Sequence, residues 1–273
     1  MSAVELKGYP VSVALIALMA SGTALADNAI NQSNNEIGIA ATGTLMNYQE
    51  NVPAAVGPAD TESGWMPGFA INYSNMSNIV GISNIYTAIN FSRSSGDIAY
   101  NGAVGYAGHY RPYHGTDSAT VYDVTGRLGM GFNLANNMMV TPYVVGGYQH
   151  WNRQMLGPAG YTEDYHAGLA GIGAMLQYAA TPNLVITATP EFMAVVDGGM
   201  TPHITGLTSA SFGTTGEEKI ALDADYRVSG QIHLYGGLSY THFNYTGGPI
   251  NAGSEPSSQT NLFAMQAGVA YSY

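Results

Sequence analysis

The sequence predicts an all-β protein: a transmembrane, antiparallel up-and-down β-barrel of about ten strands, with eight or twelve as the alternatives. Three observations predict it. Apolar and polar residues alternate with period two along most of the chain. The connections between the alternating segments are by turns long and short. Charge is scarce: 46% of the 273 residues are hydrophobic and 9% charged, where an ordinary soluble domain carries roughly 25% charged residues.

The missing charge has not become continuous apolar sequence. Mean hydropathy is +0.02, and glycine (35 residues) with uncharged polar side chains fills the gap. A bundle of membrane-spanning helices is therefore excluded, as is a coiled coil. Lys+Arg number 7 against Asp+Glu 18, a net charge of −11. Nucleic acid needs a basic face to meet its phosphates, so no nucleic-acid partner is expected. Cysteine is absent, which removes disulfides, thiolate metal sites and cysteine nucleophiles.

The N-terminus reads as an export signal. Val11 to Ala20 is a short apolar stretch preceded by Lys7, and Ala24-Leu25-Ala26 has the small-x-small pattern of a cleavage site. Cleavage after Ala26 divides the chain into a signal peptide, 1–26, and a single barrel domain, 27–273, with long external loops. The apolar stretch is short for a membrane helix.

The alternation is clearest in two places. From Thr120 to Asn133, Tyr122, Val124, Leu128, Met130 and Phe132 share one face, while Asp123, Thr125, Arg127, Gly129 and Gly131 share the other. From Glu218 to Val228, Ile220, Leu222, Tyr226 and Val228 oppose Lys219, Asp223, Asp225 and Arg227. Successive strand side chains point to opposite faces. The same reading gives strands near 36–48, 65–75, 84–93, 119–134, 138–152, 163–178, 183–196, 217–228, 231–245 and 260–273. Long loops are expected at 49–64, 94–118, 153–162, 197–216 and 246–259, and tight turns between the remaining pairs. Long loops at one end and turns at the other are the plan of a transmembrane barrel. A soluble sandwich would place charge on its outer face; here the charged face is also the small, glycine-rich one, as a lumen requires. Tyrosine (20 residues against 7 Phe) suits the membrane–water boundary. Pro142 and Pro190 fall inside two strands and remove ladder donors, so bulges or shortened strands are expected there.

The chain ends with Phe263, Met265, Val269, Tyr271 and Tyr273 on one face and small or polar residues between them. This strand resembles the closing strand of bacterial outer-membrane β-barrel proteins, in which the last residue is usually Phe. The resemblance covers the mature chain in architecture and implies a small monomeric barrel of the porin-like superfamily. It also implies an outer-membrane location among lipid and lipopolysaccharide, and the barrel assembly machinery as the reader of the terminal strand. The run from Thr141-Pro142-Tyr143 to Arg153, with Tyr161 to His166, is similar to a hairpin of uncharacterised members.

Candidate functional residues fall in two groups. Asp123, Arg127, Glu191, Asp223, Asp225 and Arg227 are expected inside the barrel, four acids to two bases, as a charge network or a cation-selecting lining. His150, Glu163, Asp164 and His166 are expected to meet at the outer rim, where imidazoles and carboxylates can bind a metal or exchange protons. The omptin proteases are ten-stranded barrels with a rim site of paired Asp and Asp-x-His, and this chain is expected to lack that set. Ser257, Ser258 and His242 give no spacing that singles out a lipid-modifying dyad. Glu50, Asp60, Glu62, Asp97, Asp117, Asp197, Glu217 and Glu255 are expected to form an acidic outer face open to divalent cations. Inward glycines at 129, 131, 171, 173, 237 and 268 leave room for water or larger neighbours. No cofactor is expected. The leading functional expectation is a narrow, passive, weakly cation-preferring pore or structural barrel without enzyme chemistry. An adhesin acting through its loops comes next, and a rim hydrolase or lipid A-modifying enzyme last.

Overall fold

The computed structural model describes residues 26–52, 59–106, 109–158, 160–251 and 253–273; almost all of the expected signal peptide lies outside them. A short helix, α1 (Ala26–Ser33), leads into β1 (Glu36–Asn51), β2 (Thr61–Ile79), β3 (Ile82–Tyr106), β4 (His109–Met130), β5 (Phe132–Ala135), β6 (Met138–Met155), β7 (Thr162–Thr181), β8 (Leu184–Pro202), β9 (Ala210–Ser211), β10 (Thr215–Ser229), β11 (Ile232–Tyr245), β12 (Gly248–Ile250), β13 (Gly253–Glu255) and β14 (Ser257–Ser272). Ten long strands close on themselves. Neighbours in sequence pair antiparallel, β8 pairs β10, and β14 pairs β1. β5 prolongs β4, while β9, β12 and β13 are short pieces within the outer connections. All ten predicted segments are present, and most are longer than predicted.

Turns at one end have two residues each: Val80-Gly81, Asn136-Asn137, Pro182-Asn183 and Gly230-Gln231. Val80 and Gly81 have φ of 50° and 81°, the paired positive values of a type I′ hairpin turn. The first described residue, Ala26, and the last, Tyr273, both lie on this side, which is the periplasmic side in barrels of this plan.

The outer end departs from expectation. Residues 94–106 and 109–118 are strand, not loop: β3 and β4 stay in register from Ile85 opposite Met130 to Tyr106 opposite His109. The expected loops 49–64 and 153–162 likewise shrink to 52–60 and 156–161. The barrel wall simply continues beyond the lipid.

The prolines act through single ladders. Pro142 keeps its pairing with Ala174 on β7, but the ladder to the other neighbour breaks between β4 and β5, opposite Pro142. Pro190 pairs with Ile220, and the β7–β8 ladder opens beside it. Pro67 does the same against β3. A missing N–H costs bonds toward one neighbour only, so no bulge is needed.

An outward apolar band surrounds the barrel. Ile39, Ile71, Ile89, Val144, Ile172 and Leu222 are all exposed. Tyr73, Tyr226, Tyr271 and Tyr273 edge the band on the periplasmic side, and Trp65, Tyr148, Tyr240 and Phe263 edge it on the outer side. An exposed apolar belt between two aromatic girdles is a bilayer-spanning surface. Phe263, Met265, Val269, Tyr271 and Tyr273 all belong to this surface. Above the outer girdle the outward residues turn polar, as in Asn47, Gln49, Gln259 and Asn261. Among the described residues no helix is long and apolar enough to cross a membrane.

Candidate functional site

The inward face of the strands builds a polar chamber of about 280 Å³, lined among others by Thr42, Asn72, Asn90, Asp123, Asp223 and Gln266. A second cavity of about 130 Å³ shares Thr44, Ser94, Asp123, Lys219 and Ser239 with it. Ionisable groups on the larger wall are Glu36, Asp123, Asp223 and Asp225 against Arg127 and Lys219. Burying unpaired charge is costly, and the basic groups are partly engaged already. Arg127 Nε lies 2.9 Å from Glu191 Oε1, the Tyr143 hydroxyl donates to the same oxygen at 2.9 Å, and Lys219 Nζ stands 4.0 Å from Oε2. Asp223 accepts from Gln266 Nε2 at 3.0 Å. The remaining chamber wall is therefore net acidic.

Larger neighbours fill the space beside several inward glycines. A Cβ at Gly173 would stand 2.6 Å from the Tyr143 ring, and one at Gly268 would stand 2.7 Å from Tyr235. Glycine here lets a tyrosine lie flat against the wall.

The sequence-predicted lumen set divides. Asp123, Arg127, Glu191 and Asp223 lie along the middle of the lumen. Asp225 instead bonds His233 Nδ1 at 2.6 Å. Arg227 belongs to the periplasmic mouth, where it donates to Asn183 Oδ1 and to Gln32 Oε1 of α1.

α1 stops that mouth. Ile30 is 1% exposed and joins Met76, Met139, Met175 and Val185 in one buried cluster. Polar side chains fix the position. Asn34 and Gln177 exchange side-chain hydrogen bonds at 2.8 and 2.9 Å. Asn35 Oδ1 accepts from Asn75 Nδ2 and from the Met76 backbone N–H. The Tyr273 N–H reaches the Asn35 carbonyl at 3.1 Å.

The outer end is closed by Arg153. Its side chain is 2% exposed, with Nε 2.5 Å from Glu62 and Nη1 2.7 Å from Glu163; Asp60 and Glu50 lie at 3.7 and 4.0 Å. The rings of Tyr48, Tyr100, Trp151 and Tyr161 surround the guanidinium at 5.7–5.9 Å. Trp151 stacks on Tyr165 and Tyr165 on Tyr245, and Tyr165 donates to Glu255 at 2.7 Å. This layer sits above the outer girdle. Burial, with Asp60 beside it, pushes the Glu50 carboxyl up to about 7. Burial, with Glu163 nearby, pushes Glu255 up to about 8. Glu62 and Asp117, fully buried side by side, are both raised by burial. The expected acidic outer face is thereby corrected: Glu50, Glu62, Asp117, Glu217 and Glu255 are buried inside, while Asp97 and Asp197 are exposed.

The expected rim group also divides. His150, Asp164 and His166 lie on the outer wall, whereas Glu163 points inward to Arg153; neighbours along a strand cannot share a face. Asp164 lies 3.3 Å from His150 Nε2 and 2.5 Å from His203 Nε2, and accepts from Asn152 at 2.8 Å. Asp164-Tyr165-His166 does have Asp-x-His spacing, contrary to the expectation. No second carboxylate faces it among the described residues, and the buried Glu62–Asp117 pair lies on the inner side of the wall. Ser258 is buried inside while His242 bonds Asn261, so they form no dyad. Arg153, Glu36 and His233 were the residues sequence reasoning missed. Arg153 was legible, because the odd positions of β6 run inward through Tyr143 and Trp151 to it.

No family model and no curated protein matches the sequence. Solved structures do match in shape. The outer membrane protease OmpT from Escherichia coli aligns at a TM-score of 0.55 with 9% identity, covering 88% of this chain and 98% of that one. The toluene transporter TodX of P. putida reaches a TM-score of 0.37 with 10% identity, covering 93% and 95%. Ail of Yersinia pestis reaches 0.34 with 10% identity, covering 87% and 99%. The first likeness establishes the outer-membrane barrel fold; the other two are too distant to add to it. The closing strand's resemblance to bacterial outer-membrane barrels thus agrees with the shape of the whole molecule.

Proposed function

We propose that the chain is exported by a cleaved signal peptide and inserted into the bacterial outer membrane as a monomer, among lipid and lipopolysaccharide, by the barrel assembly machinery. There it serves as a narrow, passive, cation-preferring conduit, held shut by α1 below and the Arg153 layer above. One observation carries this reading: the mid-lumen is a polar, net acidic chamber. A barrel of purely structural purpose would fill the same space with mutually paired side chains, whereas this one keeps a chamber of about 280 Å³ with more acids than bases on its wall. An acidic lining favours cations.

The test is conductance of the refolded chain in a planar bilayer under a salt gradient. Ile30→Asp puts a charge into the apolar seat of α1 and should loosen the mouth. Discrete cation-preferring steps, frequent in Ile30→Asp and rare in the unmodified chain, support the proposal. Silence from both proteins, each shown to be folded and at pH 6 as well as pH 9, sinks it.

A second reading is recognition of a surface partner. The β3–β4 hairpin favours it, since the hairpin extends past the outer girdle and carries exposed Arg111 and His114. Shortening that hairpin would then abolish partner binding and spare folding. A rim hydrolase is supported by no assembled catalytic set among the described residues.

A further inference from the structure

Near the periplasmic mouth, Glu36, Asp225 and His233 converge from β1, β10 and β11. His233 Nδ1 lies 2.6 Å from Asp225 Oδ1 and 3.9 Å from Glu36 Oε2, and one ligand atom of each residue lies within 4.8 Å of the others. The His233 side chain is 2% exposed. Glu36 Oε2, Asp225 Oδ2 and His233 Nε2 are all buried without a hydrogen-bond partner. Arg227, on the next inward position of β10, is turned away toward Asn183 and α1, and no Lys or Arg pairs with either carboxylate among the described residues. Two half-buried carboxylates, each with one shielded and unmatched oxygen, beside a buried imidazole are a costly arrangement for the protein alone.

We propose that these three residues bind a divalent first-row transition ion, with zinc as the ion to test first. A nitrogen and two carboxylate oxygens are a donor set for such ions, at about 2.0–2.2 Å each. Ligands at those lengths stand roughly 3–3.5 Å apart, so the three atoms need to move by less than about an ångström. Two carboxylates and a divalent ion sum to zero charge, which removes the cost of leaving the acids unpaired. The donor set leaves further positions open to the chamber, which Glu36 and Asp225 both line. The ion would tie β1 to β10 and β11 directly after the Asn34-Asn35 link to α1. It would thereby brace the stopper.

The experiment folds the full chain in detergent with excess zinc, desalts it and measures bound metal. His166→Gln and His203→Gln are included in every sample, which removes competing imidazoles from the outer wall. One equivalent of zinc is expected, with X-ray absorption showing imidazole nitrogen and carboxylate oxygen in the first coordination sphere. His233→Gln should weaken binding by at least about 100-fold. Glu36→Gln and Asp225→Asn keep shape, relieve repulsion and fold at least as well as the parent, yet should each weaken binding. Absence of zinc from the folded parent overturns the proposal. So does zinc retained with unchanged affinity in His233→Gln and both amide variants.

Discussion

Arg153→Met removes the single base from the outer cap and leaves Glu50, Asp60, Glu62 and Glu163 facing each other around an apolar side chain. Arg153 makes two short charged contacts, at 2.5 and 2.7 Å. Hydrogen bonds to charged groups are worth about 1.5–3 kcal/mol each, and breaking a buried pair by removing one partner costs about 3–5 kcal/mol. A loss of about 3–5 kcal/mol is therefore expected at pH 8.5. The loss should shrink at pH 5.5, because the carboxyls can relieve their repulsion by taking up protons. The sign follows from burial. Glu50 and Glu255 titrate near 7 and 8 in the folded protein and near 4.5 when unfolded. The folded state therefore binds more protons between those values, and stability falls as pH rises through 7–8. Without the arginine that fall is steeper. The assay is urea unfolding of the protein in lipid vesicles at both pH values, in a Trp65→Phe background so that fluorescence reports Trp151 alone. A cost below about 1 kcal/mol at pH 8.5, or the same cost at both pH values, would refute the account of the cap.

Other consequences can be measured in the same assay. Leu222→Arg places a charge on the lipid face and should destabilise by about 2–4 kcal/mol, while Ala221→Ser next to it, facing the lumen, should change little. Tyr143→Phe removes one donor to the charged Glu191 and should cost about 1.5–3 kcal/mol, with no change in secondary structure by circular dichroism. Val80→Asn relieves a β-branched residue at positive φ in an exposed turn and should raise stability by about 1 kcal/mol. An unchanged or lower unfolding midpoint in Val80→Asn would contradict the turn geometry.

The barrel was legible because lipid on one side and a lumen on the other force alternation wherever the wall crosses the membrane. That signal stops at Trp65 and Tyr148. Beyond them water lies outside, both faces become polar, and the continuing wall of β3 and β4 reads as loop. Turn residues were legible at the periplasmic end, where two positions must reverse the chain. Ala26–Ser33 gave no helix signal, since among its described side chains just Ala29 and Ile30 are buried. The inward charges of β4, β8 and β10 followed from register. Which charges meet did not, because Arg127 and Glu191 are 64 residues apart and Glu36 reaches His233 across the β14 ladder. Separating Glu163 from His150, Asp164 and His166 required only the parity of β7.

The most direct test of a hydrated acidic lumen stoppered by α1 uses the absence of native cysteine. Ser239→Cys places one thiol where both cavities meet. Its reaction with small methanethiosulfonates of opposite charge would be timed in the folded protein, with and without Ile30→Asp. The account predicts slow labelling in the parent and faster labelling in Ile30→Asp, with the cationic reagent ahead of the anionic one. Equal rates with and without Ile30→Asp, or a faster anionic reagent, would contradict it.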